Sequence, residues 1–115
     1  MFELKVGSST YPLKWGFWAM REFTRQTGKT TQDYFNMLGD GQAILDNIET
    51  LLHIAAKYAN PALQVSVQEV CEWIDGSGGI IGNAQINGFI QYIVGTHIVN
   101  ASEKPAEPTE EEKKS

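Results

Sequence analysis

The chain has 115 residues, of which 42% are hydrophobic, enough for one core but hardly for two at this size. Its net charge of −5 disfavours a nucleic-acid partner, because binding to the phosphate backbone requires clustered Lys and Arg. No stretch approaches the about 20 apolar residues of a membrane span, and no signal-peptide pattern follows Met1, so we expect a soluble cytoplasmic protein.

The N-terminal segment alternates apolar and charged residues over residues 2–6, which predicts a half-buried strand. The following Gly-Ser-Ser run is typical of a turn, and residues 10–15 can return as a second strand. Pro12 lacks an N–H for a sheet hydrogen bond, so it restricts this strand to an edge. The pattern therefore predicts a β-hairpin over about residues 2–15. Because an isolated hairpin is marginally stable, it must pack on helices.

Helical periodicity replaces the alternation from residue 17 onward. A first helix over residues 17–26 is expected to end at Gly28. A second is expected to begin at a Thr30 or Thr31 cap and to continue to about residue 38. Its predicted inward residues are Tyr34, Phe35 and Leu38.

The clearest helical stripe lies in a predicted helix over residues 42–59. Its members are Ile44, Ile48, Leu51, Leu52, Ala55 and Ala59. Ser66 and Glu69 form a predicted capping box for the next helix, which is followed by a glycine-rich loop. The inward residues of that helix are Val67, Val70, Trp73 and Ile74. A last helix over about residues 80–99 contains glycines that weaken it or mark the close approach of another helix.

These elements predict a mainly α fold with a short N-terminal β-hairpin, in the α+β class. We expect a small bundle of about four to five helices within a single domain, residues 1–100. Residues 101–115 contain three consecutive glutamates and two prolines but no large apolar residue. Such a composition cannot form a core, so a disordered acidic C-terminal tail is predicted.

No group of residues in the sequence suggests catalysis. His53 and His97 lack a second ligand at metal spacing. Cys71 is the single cysteine, so it cannot form an internal disulfide, and we expect a buried structural thiol. The glycine-rich segment 76–82 lacks the Lys-Ser/Thr ending of a phosphate-binding loop and does not follow a strand. We therefore expect no enzyme activity, no metal and no cofactor.

Aromatic residues are concentrated where the hairpin meets the first helix. Two interpretations stay open: these rings form the core of the junction, or one of them, such as Trp18, stays exposed as a partner anchor, since tryptophan is enriched at binding hot spots. One apolar face of the last helix has the same two interpretations: it packs in the core, or it binds a partner. The candidate partner-binding residues are Trp15, Phe17, Trp18 and Phe23, together with Ile86, Phe89, Ile90 and Ile93.

Three motifs together resemble the tail assembly chaperones of long-tailed phages and prophages. They are Phe2-Glu-Leu-Lys-Val, Tyr11-Pro-Leu-Lys-Trp-Gly-Phe-Trp-Ala-Met-Arg-Glu-Phe and Thr27-Gly-Lys-Thr. Members of that family open with a short hairpin, followed by an aromatic-rich helix that ends in a Thr-Gly-Lys sequence. The several helices and the glycine-rich connection of the remaining chain are compatible with the family, so the resemblance covers about residues 2–95.

The resemblance implies a non-catalytic chaperone in the cytoplasm of the host cell. Such a protein coats the long helical tape measure protein, keeps it soluble, and gives way to the tail tube protein. From its charge and composition we expect this chain to bind neither nucleic acid nor membrane, and its self-association stays open. Family members also occur in a longer form made by programmed −1 frameshifting. The run Glu112-Lys113-Lys114 is compatible with a slippery A-AAA-AAG in the gene, while a charged solubilising tail is the alternative.

Two other functions stay open from the sequence. The chain is alternatively a small cytoplasmic helical adaptor or regulator that binds one protein partner. As a third alternative, it is a structural phage tail or head-completion subunit that remains in the particle. All three functions require protein–protein contacts.

Overall fold

A computed structural model describes residues 1–103, with side-chain surroundings through residue 97. Strands β1 (Phe2–Val6) and β2 (Ser9–Leu13) pair antiparallel, with Leu4 opposite Tyr11. Gly7 makes the turn with a φ of 61°, a left-handed conformation that glycine adopts without steric cost. The hairpin predicted from the alternating N-terminal sequence is therefore confirmed.

Six helices follow within residues 1–103. They are α1 (Phe17–Thr27), α2 (Thr31–Leu38), α3 (Gly41–Asp46), α4 (Ile48–Ala59), α5 (Val67–Ser77) and α6 (Ala84–Glu103). The mainly helical class with an N-terminal hairpin is thus confirmed, but the helix number exceeds the predicted four to five.

The additional helix arises at Asn47, which divides the predicted helix over residues 42–59. Its side-chain Nδ2 donates to the Ala43 carbonyl oxygen at 2.9 Å, and its backbone has φ −118° and ψ 13°. Asparagine readily makes such local hydrogen bonds in competition with the helical backbone. The apolar stripe nevertheless continues across the break, since Ile44 and Ile48 are both buried.

Side-chain caps set the beginnings of four helices, and Asp40 caps α3 through the backbone N–H groups of residues 42 and 43. Thr30 and Ser66 each form a capping box, with Asp33 and Glu69 respectively, so both predicted caps are confirmed. The last helix begins at residue 84 rather than 80. There the side-chain Oδ1 of the buried Asn83 accepts from the backbone N–H groups of residues 85 and 86 at 2.9 and 3.2 Å. Asn83 is therefore a cap that the sequence analysis missed.

A single apolar core joins the hairpin to the helices. β2 packs on α4, while β1 packs on α5 and α6. Two glycines allow this approach: a Cβ at Gly76 would lie 2.7 Å from Val6 Cγ1, and one at Gly88 would lie 3.1 Å from Phe2 Cε1. Gly88 thus marks the approach of a strand, not of another helix as predicted. The largest fully buried side chains include Leu4, Leu13, Phe23, Tyr34, Leu51 and Phe89.

Three side chains predicted to be buried are exposed instead. Phe35 and Val67 are 44% and 45% exposed, and Cys71 is also exposed. Phe35 and Cys71 directly follow the buried residues Tyr34 and Val70, and a helix turns by about 100° per residue. Val67, in contrast, is the first residue of α5 and lies between two exposed residues. For Phe35 and Cys71, the preceding residue takes the core position on that side of the helix.

The last described residues belong to α6, and the domain limit at residue 100 stays a prediction. α6 continues through Glu103, so the first three residues of the predicted disordered tail are helical. The rest of that tail, residues 104–115, lies outside the described residues. None of the helices in the described part of the chain is both long and apolar enough to span a membrane.

Candidate protein-binding surface

The connection between the hairpin and α1 is anchored to two other helices. The backbone N–H of Lys14 donates to the carbonyl oxygen of Ala55 at 3.1 Å. The backbone N–H of Trp15 donates to the hydroxyl of Tyr92 at 3.2 Å. These bonds fix where α1 begins, and so they determine which aromatic side chains of the junction face the core.

The inward side of this junction contains a short chain of hydrogen bonds. Trp15 Nε1 donates to the Tyr34 hydroxyl at 2.7 Å, and that hydroxyl lies 2.8 Å from His97 Nε2. The Tyr34 oxygen accepts from Trp15, and its own proton can be donated to Nε2 of a neutral His97 in the tautomer that carries its proton on Nδ1. Burial raises the pKa of Tyr34 to about 12 and lowers the pKa of His97 from its ordinary value. All three groups are therefore satisfied in their neutral forms.

The structure separates the predicted partner-binding residues into two groups. Trp15 and Phe23 are buried, and so is most of the predicted face of α6, at Ile86, Phe89 and Ile93. Ile90 of the same helix is half-buried and packs against the core. Only Phe17 and Trp18 are exposed, at 66% and 47%. The two predicted regions therefore do not form one joint surface.

Phe17 and Trp18 belong to a surface that combines aromatic rings with cations. The Trp18 and Tyr58 ring centroids are 4.9 Å apart, and Lys14 Nζ lies 4.6 Å from the Tyr58 centroid. The Arg21 guanidinium lies 5.0 Å from the centroid of the Phe17 ring. These distances allow cation–π attraction. We call this the aromatic–cationic surface, defined by Phe17, Trp18, Tyr58, Lys14, Arg21 and Lys57.

Clefts lie on both sides of Trp18. One of about 580 Å³ is lined by Lys14, Trp18, Lys57, Tyr58 and Pro61. Another of about 280 Å³ lies between α1 and α4, and Trp18 and Lys57 line it as well. A third, of about 370 Å³, lies between Phe17 and Phe35, with His97 in its lining. The exposed rings therefore stand between concave regions that apolar side chains of a partner can enter.

The charge of this surface is opposite in sign to the net charge of the chain. Glu22, which lines the cleft between α1 and α4, forms an ion pair with Arg25 and accepts from Gln26 Nε2 at 2.9 Å. The hydrogen bond from Arg25, followed by that from Gln26, lowers the pKa of Glu22. Among the described residues, the three cations of the surface form no ion pair. The surface is therefore a local positive region on an acidic protein.

Sequence analysis did not identify Tyr58, Lys14 or Lys57 as parts of a site. Tyr58 follows the buried stripe of α4 without belonging to it, and no periodic pattern links it to Trp18. The packing of α1 on α4 brings the two rings together. Only an aromatic next to a lysine near the end of the helix was visible in the sequence, which is a weak signal.

Two other polar side chains, His53 and Asn83, form hydrogen bonds that join helices to neighbouring segments. His53 Nε2 lies 2.8 Å from the carbonyl oxygen of Val65, which joins α4 to the segment before α5. Asn83 Nδ2 donates to Ser77 Oγ at 2.9 Å and to the Gly79 carbonyl at 2.6 Å, so it joins the ends of α5 and α6. Over residues 1–103, no three His, Cys, Asp or Glu side chains are grouped so that they could hold a metal ion.

Comparisons of the chain with protein-family models, curated proteins and solved structures found no match. The resemblance to tail assembly chaperones therefore stays a prediction from the sequence motifs. The aromatic–cationic surface is interpreted from its own geometry.

Proposed function

We propose that this protein is a non-catalytic tail assembly chaperone, which holds the tape measure protein in the host cytoplasm until tail tube protein replaces it. The exposure of two consecutive large aromatic residues, Phe17 and Trp18, is the observation that carries this proposal. Exposed aromatic residues beside clefts favour a protein-binding role, because tryptophan and other large rings dominate binding hot spots. Both residues also belong to the motif that resembles the chaperone family.

The shape of the surface supports a partner that is later displaced. Its clefts are shallow and separate, and the anchoring rings are only partly enclosed. Contacts of this kind are individually weak, so a long partner is retained through many of them. A competing protein can then remove the chaperone stepwise, without one large barrier.

The DNA around the gene provides the first test. A slippery A-AAA-AAG within codons 112–114, followed by an open −1 frame and then by a very long helical reading frame, is expected. That arrangement would also supply the sequence of the tape measure partner. Ordinary lysine codons with no such frame would count against the phage-tail assignment and favour a small helical adaptor.

Co-expression tests the chaperone activity itself. We expect the chain to increase the soluble fraction of the tape measure protein encoded downstream, and Phe17→Ser with Trp18→Ser to abolish that increase. Ile81→Ser is the matched control, because Ile81 is 89% exposed but lies outside the aromatic–cationic surface. No increase with the unsubstituted chain would contradict the proposal. Stoichiometric amounts of the chain in purified particles, measured by mass spectrometry, would favour the structural-subunit alternative.

A further inference from the structure

We propose that the aromatic–cationic surface selects acidic partner segments that also carry large apolar side chains, such as amphipathic helices with carboxylates beside the apolar face. This inference rests on the proposed function in one respect, that the partner is a protein. It adds the chemistry of the partner segment, which the proposed function leaves open.

Charge complementarity is the first reason. Lys14 and Lys57 both line the largest cleft of the surface, and Arg21 lies beside Phe17. A lysine or arginine over an aromatic ring keeps its full charge, so it remains able to attract a carboxylate. Glu22, which lines the neighbouring smaller cleft together with Lys57, is already engaged by Arg25 and Gln26. Over residues 1–97, no carboxylate lines the largest cleft, so an acidic segment that enters it would meet two lysines, with Arg21 beside the next ring, Phe17.

The arrangement of the cleft supplies the second reason. Trp18, Tyr58 and Pro61 form apolar walls, while the two lysines stand in the same lining. A leucine- or phenylalanine-sized side chain can enter between the rings, and carboxylates on either side of it can then reach the lysines. An amphipathic helix presents this combination, because residues three and four apart lie on one face.

Other occupants match only part of the surface. Residues 104–115 of this chain are acidic but contain no large apolar side chain, so they would leave the aromatic cleft unfilled. Single-stranded nucleic acid could stack on Trp18 and Tyr58. However, the net charge of −5 opposes a polyanion as long as a nucleic-acid strand. A short peptide that is both acidic and apolar can contact the aromatic rings with its apolar side chains and the cations with its carboxylates.

Two synthetic amphipathic peptides of about 20 residues, roughly 30 Å of helix, test this selectivity. Both carry leucines at three- and four-residue spacing; the flanking positions are glutamate in one and lysine in the other. At low salt we expect the glutamate peptide to bind at least ~10-fold more tightly, measured by anisotropy of a dye on the peptide. The preference should decrease with salt, because ions screen exposed charges.

Charge-reversal variants test whether the preference for the glutamate peptide comes from the aromatic–cationic surface. Lys57→Glu is expected to remove or invert the preference for the glutamate peptide. Lys5→Glu makes the same charge change on β1, where the side chain is exposed outside the surface, and should leave the preference intact. Trp18→Ala should weaken binding of both peptides. Circular dichroism verifies that each variant is folded, and both lysine side chains are exposed, so folding is expected to be retained.

Several results would overturn the inference. They are equal affinity for the two peptides, equal effects of Lys57→Glu and Lys5→Glu, tighter binding of a thymidine 20-mer than of the glutamate peptide, and a dimer in light scattering that Trp18→Ala dissociates. Co-expression separates this inference from the proposed function. If the unsubstituted chain and Lys57→Glu keep the tape measure protein equally soluble, the function stands and the charge selectivity fails. If the unsubstituted chain has no effect there, the function fails, while the peptide preference is decided independently.

Discussion

Two tryptophans only three residues apart, Trp15 and Trp18, have opposite environments. Trp15 is 4% exposed, its indole N–H is bonded to Tyr34, and its ring lies edge-on to Phe89. Trp18 is 47% exposed and contacts Tyr58 beside two open clefts. The comparison shows that one aromatic-rich segment has two separable roles. Its inward residues hold the hairpin, α2 and α6 together, and its outward residues remain available to a partner.

The same contrast extends to the surroundings of the two residues. On the packed side of the molecule, β1 approaches α5 and α6 closely: a Cβ at Gly76 would lie 2.7 Å from Val6 Cγ1, and one at Gly88 would lie 3.1 Å from Phe2 Cε1. On the side of Trp18, half-buried rings and lysine side chains border unfilled clefts. Substitutions on the packed side should therefore change the free energy of unfolding, while substitutions on the open side should change binding.

The largest expected effect is that of Trp15→Ala. It removes a large buried ring and leaves the Tyr34 hydroxyl without its donor, so we expect a loss of ~3–5 kcal/mol in the free energy of unfolding. Trp18→Ala should cost less than about 1 kcal/mol, because nearly half of that side chain is already in solvent. Urea denaturation followed by circular dichroism measures both values. Similar losses for the two variants would contradict the separation of roles.

A smaller loss is expected where the hairpin meets α5. Gly76→Ala places a Cβ 2.7 Å from Val6 Cγ1, so the Val6 side chain or its strand must shift, at a cost of ~1–3 kcal/mol that exceeds the gain in helix propensity of about 1 kcal/mol at most. Gly41→Ala is the matched control, since no atom lies within 4 Å of its added Cβ. It should leave the unfolding free energy unchanged or slightly higher. Stabilisation by both variants would show that the strand is not confined at Gly76.

The hydrogen bonds from Trp15 to Tyr34 and between Tyr34 and His97 predict that the free energy of unfolding depends on pH. Folding favours neutral His97, because burial lowers its pKa below the ordinary 6.5. Its contribution is therefore fully present above about pH 6.5 and is lost as the pH falls through the pKa of the folded state. His97→Gln keeps an acceptor for Tyr34 but cannot be protonated, so its urea midpoint should fall less over this range. Parallel pH profiles for the two proteins would contradict this assignment.

The smallest expected effect on the free energy of unfolding is that of replacing Trp18, but this substitution should clearly change the quenching of tryptophan fluorescence. Acrylamide should quench one accessible tryptophan in the folded protein, because Trp15 and Trp73 are only 4% and 7% exposed. Trp18→Phe should remove most of the accessible fraction, whereas the control Trp73→Phe should retain it. Uniform shielding of all three tryptophans would mean that Trp18 is not an exposed anchor.

Local sequence patterns predicted much of the fold but little of the surface. The strand alternation over residues 2–6, the capping box at Ser66 and a cap at Thr30 or Thr31 depend only on residues close in sequence, so they could be predicted correctly. The helix break at Asn47 and the cap at Asn83 were missed, because an asparagine side chain has several local partners and the choice depends on packing. Cys71 is exposed although a buried thiol is predicted, because a helical pattern alone does not show which of two neighbouring residues faces the core.

The sequence by itself therefore determined the hairpin, the approximate positions of the helices, and the presence of an aromatic-rich junction. It could not assign Trp15 to the core and Trp18 to the surface, because both fit the apolar pattern where strand becomes helix. Tertiary structure decided this through hydrogen bonds to Tyr34 and Tyr92, residues far away in the chain. It also brought Tyr58 and Lys57 of α4 beside Trp18 of α1. Such a surface arises from helix packing between distant segments, and no periodicity within either segment encodes it.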